Sequence, residues 1–148
     1  MRLKDMVSGW MTGRPETVRP DQPVLEAYAI MCSFGIRHVP VVKDDRLVGI
    51  LSDRDLLKRG PLGGGDDGGQ KLAKLFALPV GEIMTCDDLK TAAPMTTLQQ
   101  AAYTMAETRT SALPVLDGEK LVGIITSHDL LRALSGMPKS DEVEAGAR

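Results

Sequence analysis

The stretch Gly49-Ile-Leu-Ser-Asp-Arg-Asp55, "GILSDRD", decides the fold, because the chain writes it again as "GIITSHD" from Gly123 to Asp129. Each version has a glycine, two branched aliphatic residues, a hydroxyl and, three residues after the hydroxyl, an aspartate. The repeat extends outward from this block. "PVVKDDRLVGILSDRDLLK" (Pro40 to Lys58) lies over "PVLDGEKLVGIITSHDLLR" (Pro114 to Arg132) without a gap, with nine of nineteen positions identical. Upstream, "VSGWMT" (Val7 to Thr12) lies over "VGEIMT" (Val80 to Thr85) in a register one residue shorter. The chain is therefore a tandem duplication. A long period present only twice is not a solenoid, so the two copies are expected to pack on each other.

Both copies have the same layout of strand, helix, strand, strand, helix. In the first, "TVRP" (Thr17 to Pro20) is short and extended, and Asp21 is a candidate helix cap. Val24, Ala27, Tyr28, Met31 and Phe34 then recur at helical spacing, and Gly35 ends the helix. "HVPVV" and "RLVGIL" read as a hairpin around Lys43, Asp44 and Asp45, and Ser52 or Asp53 caps the closing helix. In the second copy Thr96 is the candidate cap for a helix whose stripe is Leu98, Ala101, Ala102 and Met105. Asp117-Gly118 turns the hairpin, Thr126 opens the last helix, and Gly136 with Pro138 closes it. The boundaries read from sequence are 1–60 for copy one with its lead-in and 61–78 for a glycine-rich linker and short helix. Copy two is 79–135, and 136–148 is a disordered tail.

Bulk composition narrows the function classes. The 148 residues are 43% hydrophobic and 26% charged, with a net charge of −2 and only 3% aromatic residues. That balance argues against a nucleic-acid or membrane surface and against a base-stacking platform. No apolar run is long enough to span a bilayer and no signal peptide opens the chain, so a cytoplasmic location is expected. Cys32 and Cys86 form no disulfide framework or zinc pattern, and Cys32 reads as a small hydrophobe on a helix.

The doubled motif has physical content. A glycine in a buried strand marks the close approach of another group. A hydroxyl and a carboxylate three residues apart at a helix start share a face. Such a carboxylate is able to accept from the 2′- and 3′-hydroxyls of a ribose, with phosphate near the hydroxyl and the helix amides. The same spacing is also a capping box with no ligand. Both readings stand on sequence alone.

The pattern resembles a tandem CBS-domain (cystathionine beta-synthase domain) pair as a stand-alone module: "HVPVVKDDRLVGILSDRDLL" and "ALPVLDGEKLVGIITSHDLL", led in by "WMT" and "IMT". The resemblance covers about residues 3 to 135 and implies an α+β (mixed α/β) fold. Two pseudo-symmetric β-α-β-β-α repeats would pack through their sheets, leave two clefts and assemble as a homodimer. It also implies adenosine-containing ligands, AMP, ADP, ATP or S-adenosylmethionine. By that resemblance Asp55 and Asp129 match the ribose carboxylates and Ser52 and Thr126 the accompanying hydroxyls. Arg54, Arg37 and His38 match basic positions near phosphate, where copy two has His128, Ser111 and Ala112. Val39 and Pro40, with Leu113 and Pro114, match the strand beside adenine. Thr17 and Val18, with Thr91 and Ala92, match the first strand.

Sharper chemical readings fail. Ser127, His128 and Asp129 are adjacent on a helix, about 100° apart, and cannot align as a triad. "GPLGGGDDGGQK" lacks the Gly-Lys-Ser/Thr of a phosphate loop. Two histidines in the whole chain make a poor metal site, and Trp10 reads as a packing anchor. The expectation is a non-catalytic regulatory module with no catalytic or metal residues and no required cofactor. An adenine nucleotide is its regulatory ligand and an unidentified protein its regulated partner. The alternative is a ligand-independent structural dimer module.

Overall fold

The computed structural model describes residues 2–59 and 68–138. Most of the glycine-rich linker and the tail from residue 139 lie outside the described residues. Two antiparallel hairpins carry the duplication. In the first copy, β2 (His38–Lys43) pairs with β3 (Arg46–Ser52), with Val39 opposite Leu51 and Pro40 opposite Ile50. In the second, β4 (Ala112–Asp117) pairs with β5 (Lys120–Thr126), with Leu113 opposite Ile125 and Pro114 opposite Ile124. Asp44 and Asp45 turn the first hairpin at φ of 51° and 62°, a left-handed geometry that suits the strand twist. Alternate strand residues face inward: Val39, Val41 and Leu51 in one copy, Leu113, Val115 and Ile125 in the other, all fully buried. Each such side chain contributes about 1.5–3 kcal/mol by leaving water.

Helices frame the hairpins: α1 (Val24–Phe34) and α2 (Asp53–Arg59), then α3 (Gly68–Ala77), α4 (Leu98–Thr108) and α5 (Ser127–Ser135). The short first strand of each copy is reduced to one parallel bridge, Val18 to Val41 and Ala92 to Val115. Gly35 and Gly136 end α1 and α5 at φ of 64° and 76°, as the sequence predicts. Thr126 caps α5 as expected, and two other caps differ. Asp21 does not cap α1, because the Val24 N–H donates to the Leu78 carbonyl at 2.8 Å and Asp21 pairs with Arg19. Thr97, not Thr96, caps α4 in a capping box with Gln100, while the Thr96 hydroxyl accepts from the Ala93 N–H. Cys32 is exposed, one position past buried Met31 and about 100° round the helix. Tyr28 and Phe34 are also exposed, at the edges of the stripe, as is Ala102 on α4.

Contacts divide the chain into two compact units that cut across the sequence repeats. One unit is Glu16–Leu89, with a core of Val18, Val24, Ala27, Val39, Val41, Leu51 and Val80 among others. It therefore contains the lead-in of copy two, and Thr85 exchanges both backbone hydrogen bonds with Ile50 at 2.9 Å. The other unit joins Met1–Pro15 to the chain from Lys90 onward. There β1 (Thr12–Gly13) pairs with β5, Thr12 opposite Ile124, giving the order β1-β5-β4. Val7 is fully buried with Ala92, Ala101, Leu113 and Ile125. Trp10 packs on this same core, with its indole N–H donating to the Lys4 carbonyl at 2.9 Å. It anchors the lead-in of copy one, but against the hairpin of copy two.

This exchange explains the glycine of the motif. A Cβ on Gly49 would lie 2.6 Å from Met84 Sδ and 3.0 Å from the Thr85 carbonyl oxygen. A Cβ on Gly123 would lie 2.5 Å from Met11 Sδ and 3.0 Å from the Thr12 carbonyl oxygen. In each unit the glycine makes room for the Met-Thr pair of the other copy's lead-in.

Candidate functional site

The end of β3 and the start of α2 place Ser52 and Asp55 together. Asp55 Oδ2 accepts from the Ser52 N–H at 2.8 Å and from the Ser52 hydroxyl at 3.1 Å, and the Asp55 N–H donates back to that hydroxyl at 3.2 Å. At the end of β5, Asp129 Oδ2 accepts from the Thr126 N–H at 2.9 Å and its hydroxyl at 3.1 Å, and the Asp129 N–H returns a bond at 3.3 Å. The two boxes thus match to about 0.1 Å in every bond. The geometry is a capping box, and it also leaves each carboxylate acceptor capacity at its other oxygen.

At that other oxygen the copies diverge. Asp55 Oδ1 accepts from the Thr85 hydroxyl at 3.1 Å, and Asp55 is the buried charged residue of the described chain, 8% exposed. Asp129 is half-buried, and no described residue donates to its Oδ1. Sequence reading missed Thr85, which lies thirty positions from Asp55. The signal was present in the repeated "MT" that ends each lead-in.

The basic residues of copy one gather at the same end of the hairpin. The Asp53 N–H donates to the Arg37 carbonyl at 3.0 Å, which ties the start of α2 to the chain entering β2. In copy two the Ser127 N–H reaches the Ser111 carbonyl at 2.9 Å in the same way. Arg37 and Arg54 are exposed and His38 is half-buried. Burial pushes the His38 imidazole below its ordinary pKa. Asp53 and Asp55 oppose that shift and Arg54 and Arg37 reinforce it. His38 is accordingly neutral near pH 7, and the cationic charge at this end belongs to the two arginines. Copy two has Ser111, buried Ala112 and exposed His128 at these places.

The residues matched to the adenine side are built into the hairpins. Val39, Pro40, Leu113 and Pro114 are buried. The Pro40 carbonyl already accepts from the Val18 N–H at 3.1 Å, and the Pro114 carbonyl from the Ala92 N–H at 2.9 Å. Val18 and Ala92 are buried beside them, while Thr17 and Thr91 are exposed. Among the described residues no group of three or more His, Cys, Asp or Glu is placed to hold a metal, and no helix is long and apolar enough to cross a membrane.

Comparison with known proteins agrees with this architecture. A CBS-domain protein of Bacillus subtilis, YhcV, is 35% identical over 124 residues, which is 84% of this chain and 81% of that protein. An inosine-5'-monophosphate dehydrogenase of Aquifex aeolicus is 37% identical over 133 residues, 88% of this chain; the chain spans only 24% of that enzyme's length. The crystal structure of CBSX2 in complex with AMP matches with a TM-score of 0.71 at 33% identity, covering 88% of this chain and 96% of that one. The CBS domain profile matches twice, at residues 4–61 and 80–136, and the chain belongs to the CBS domain family.

Proposed function

We propose that this chain is a non-catalytic regulatory module that binds an adenosine-containing nucleotide at its two hydroxyl–aspartate boxes and passes that state to a partner protein. The observation that carries the reading is the pair of boxes, which recur with the same geometry in both units. The AMP complex of the similar CBSX2 structure supports it. Asp55 and Asp129 take the ribose hydroxyls, beside Ser52 and Thr126. Arg37 and Arg54 take phosphate, with neutral His38 as a further hydrogen-bonding group. Val39 and Pro40 form the strand beside adenine at the first box, with Thr17 and Val18 at its edge, and Leu113 and Pro114 form it at the second, with Thr91 and Ala92. Ser111, Ala112 and His128 give the second box less charge, so it suits AMP or a nucleoside better than ATP. The ligand regulates only if it binds two states of the module unequally.

The alternative, a ligand-free structural module, draws on Asp55: its carboxylate is buried and its bonds are satisfied within the fold. Calorimetric titration with ATP, AMP and adenosine separates the two. The regulatory reading expects heat of binding for all three. Arg54→Ala then weakens ATP about tenfold and leaves adenosine within twofold, since a charge-assisted bond at an exposed site contributes about 1.5 kcal/mol. No binding by any of the three would favour the structural module. Equal losses of ATP and adenosine would remove Arg54 from the phosphate site.

Leu57, Leu131 and Leu134 are exposed at 70%, 63% and 86%, whereas Leu56 is buried and Leu130 packs on the core. Three of the five leucines on α2 and α5 named here are thus exposed. We propose that those three pack in a two-fold homodimer. Light scattering is expected to report twice the chain mass, and a monomer across a hundredfold concentration range would reject the dimer.

A further inference from the structure

We infer that the Thr85 hydroxyl governs access of a ribose to Asp55, so that two boxes alike in sequence differ in readiness for ligand; this rests on the nucleotide reading above. The two carboxylates hold the same internal bonds at Oδ2. They differ at Oδ1. Each carboxylate oxygen has two lone pairs, and Oδ2 already accepts two bonds in both boxes, so a vicinal diol is left the two acceptor directions of Oδ1. At Asp129, which is half-buried, no described residue donates to either. At Asp55 the Thr85 hydroxyl takes one of the two and the residue is 8% exposed.

The difference does not come from a missing residue. Thr12 sits opposite Ile124 in the register in which Thr85 sits opposite Ile50. Both threonines are exposed, yet the Thr12 hydroxyl makes no bond to Asp129 while the Thr85 hydroxyl turns onto Asp55. The Thr85 main chain is fixed by its two bonds to Ile50 and by the glycine crossing at Gly49. Freeing both acceptor directions of Asp55 Oδ1 therefore requires rotation of the Thr85 side chain about χ1 to another staggered well. A ribose entering at Asp55 exchanges one internal hydrogen bond for its own, whereas at Asp129 it adds bonds without exchange. The second box fills first with a nucleoside, and the first takes both ribose hydroxyls only as Thr85 turns away.

The test isolates the ribose by titrating adenosine, and isolates the first box by using the full chain carrying Asp129→Ala. Thr85→Val keeps the branched shape and removes the donor. It is expected to tighten adenosine about two- to tenfold, the worth of one net hydrogen bond. Thr85→Ser keeps the donor and is expected to behave as Thr85. Thr85→Ala lacks the donor and gives the same direction as valine should valine pack poorly. Thr12→Val in the chain carrying Asp55→Ala is expected to leave adenosine affinity unchanged. Unchanged or weaker adenosine binding in both Thr85→Val and Thr85→Ala would overturn the inference while the nucleotide reading stands. Failure of the unaltered chain to bind adenosine or AMP would refute the nucleotide reading and this inference with it.

Discussion

In a chain carrying both Asp55→Ala and Asp129→Ala, AMP binds about ten- to a hundredfold more weakly at each box than in the unaltered protein, whereas each single variant weakens one box by that factor and leaves the other. The magnitude follows from removing a charged acceptor of two hydroxyl donors, about 1.5–3 kcal/mol. The stability changes differ between the singles. Asp129→Ala removes a capping box, about 0.5–2 kcal/mol. Asp55→Ala breaks the same kind of box and in addition leaves the Thr85 hydroxyl without its acceptor at a more buried carboxylate, so it is the more destabilising of the two. Calorimetry measures the first effect and thermal unfolding the second. If both variants lose stability while AMP affinity and stoichiometry stay as they were, the boxes are caps and nothing more.

Gly49→Ala and Gly123→Ala each destabilise the fold by about 1–3 kcal/mol, which for a chain of this size lowers Tm by roughly 2–4 °C per kcal/mol. Two effects oppose each other. Alanine restricts the unfolded chain and on that account stabilises by about 0.4–1 kcal/mol. The new methyl group lands 2.5–2.6 Å from a methionine sulfur and 3.0 Å from a backbone carbonyl held in a bridge. The sulfur has room to move only with its side chain, and the carbonyl is fixed by its bond from the neighbouring strand, so the clash wins. Denaturant or thermal unfolding that placed either variant within 0.5 kcal/mol of the unaltered protein would show that the lead-in yields freely.

The hairpins, their turns and the two boxes were legible because each is local: alternation, a turn dipeptide and a three-residue spacing are all set within a few positions. That Gly49 and Gly123 face something close was also legible, since glycine in an apolar strand has few other uses. What approaches them was not. Met84 and Met11 come from the opposite copy, and no short-range pattern carries that information. Thr85 was hidden for the same reason. The misplaced cap at Asp21 has another cause: the start of α1 finds a carbonyl, Leu78, far along the chain, so the nearest polar side chain is not needed. The exposed Tyr28, Phe34 and Cys32 show a further limit. Periodicity gives the centre of a buried stripe, here Val24, Ala27 and Met31, and not how far round the helix the burial extends.

The exchanged lead-ins also set an order of assembly. Glu16–Leu89 is one unbroken stretch, so every residue of that unit is present once synthesis has passed Leu89. The other unit is split, with its N-terminal strand made first and its hairpin made last. Joining them closes a loop whose entropic cost rises only about 0.6 kcal/mol per doubling of length. A central unit that folds as it is made would replace that loop with a compact body before the last strands are added. Two tandem repeats in sequence thus become a nested pair in time, the inner one complete while Thr12 and Gly13 still wait for β5.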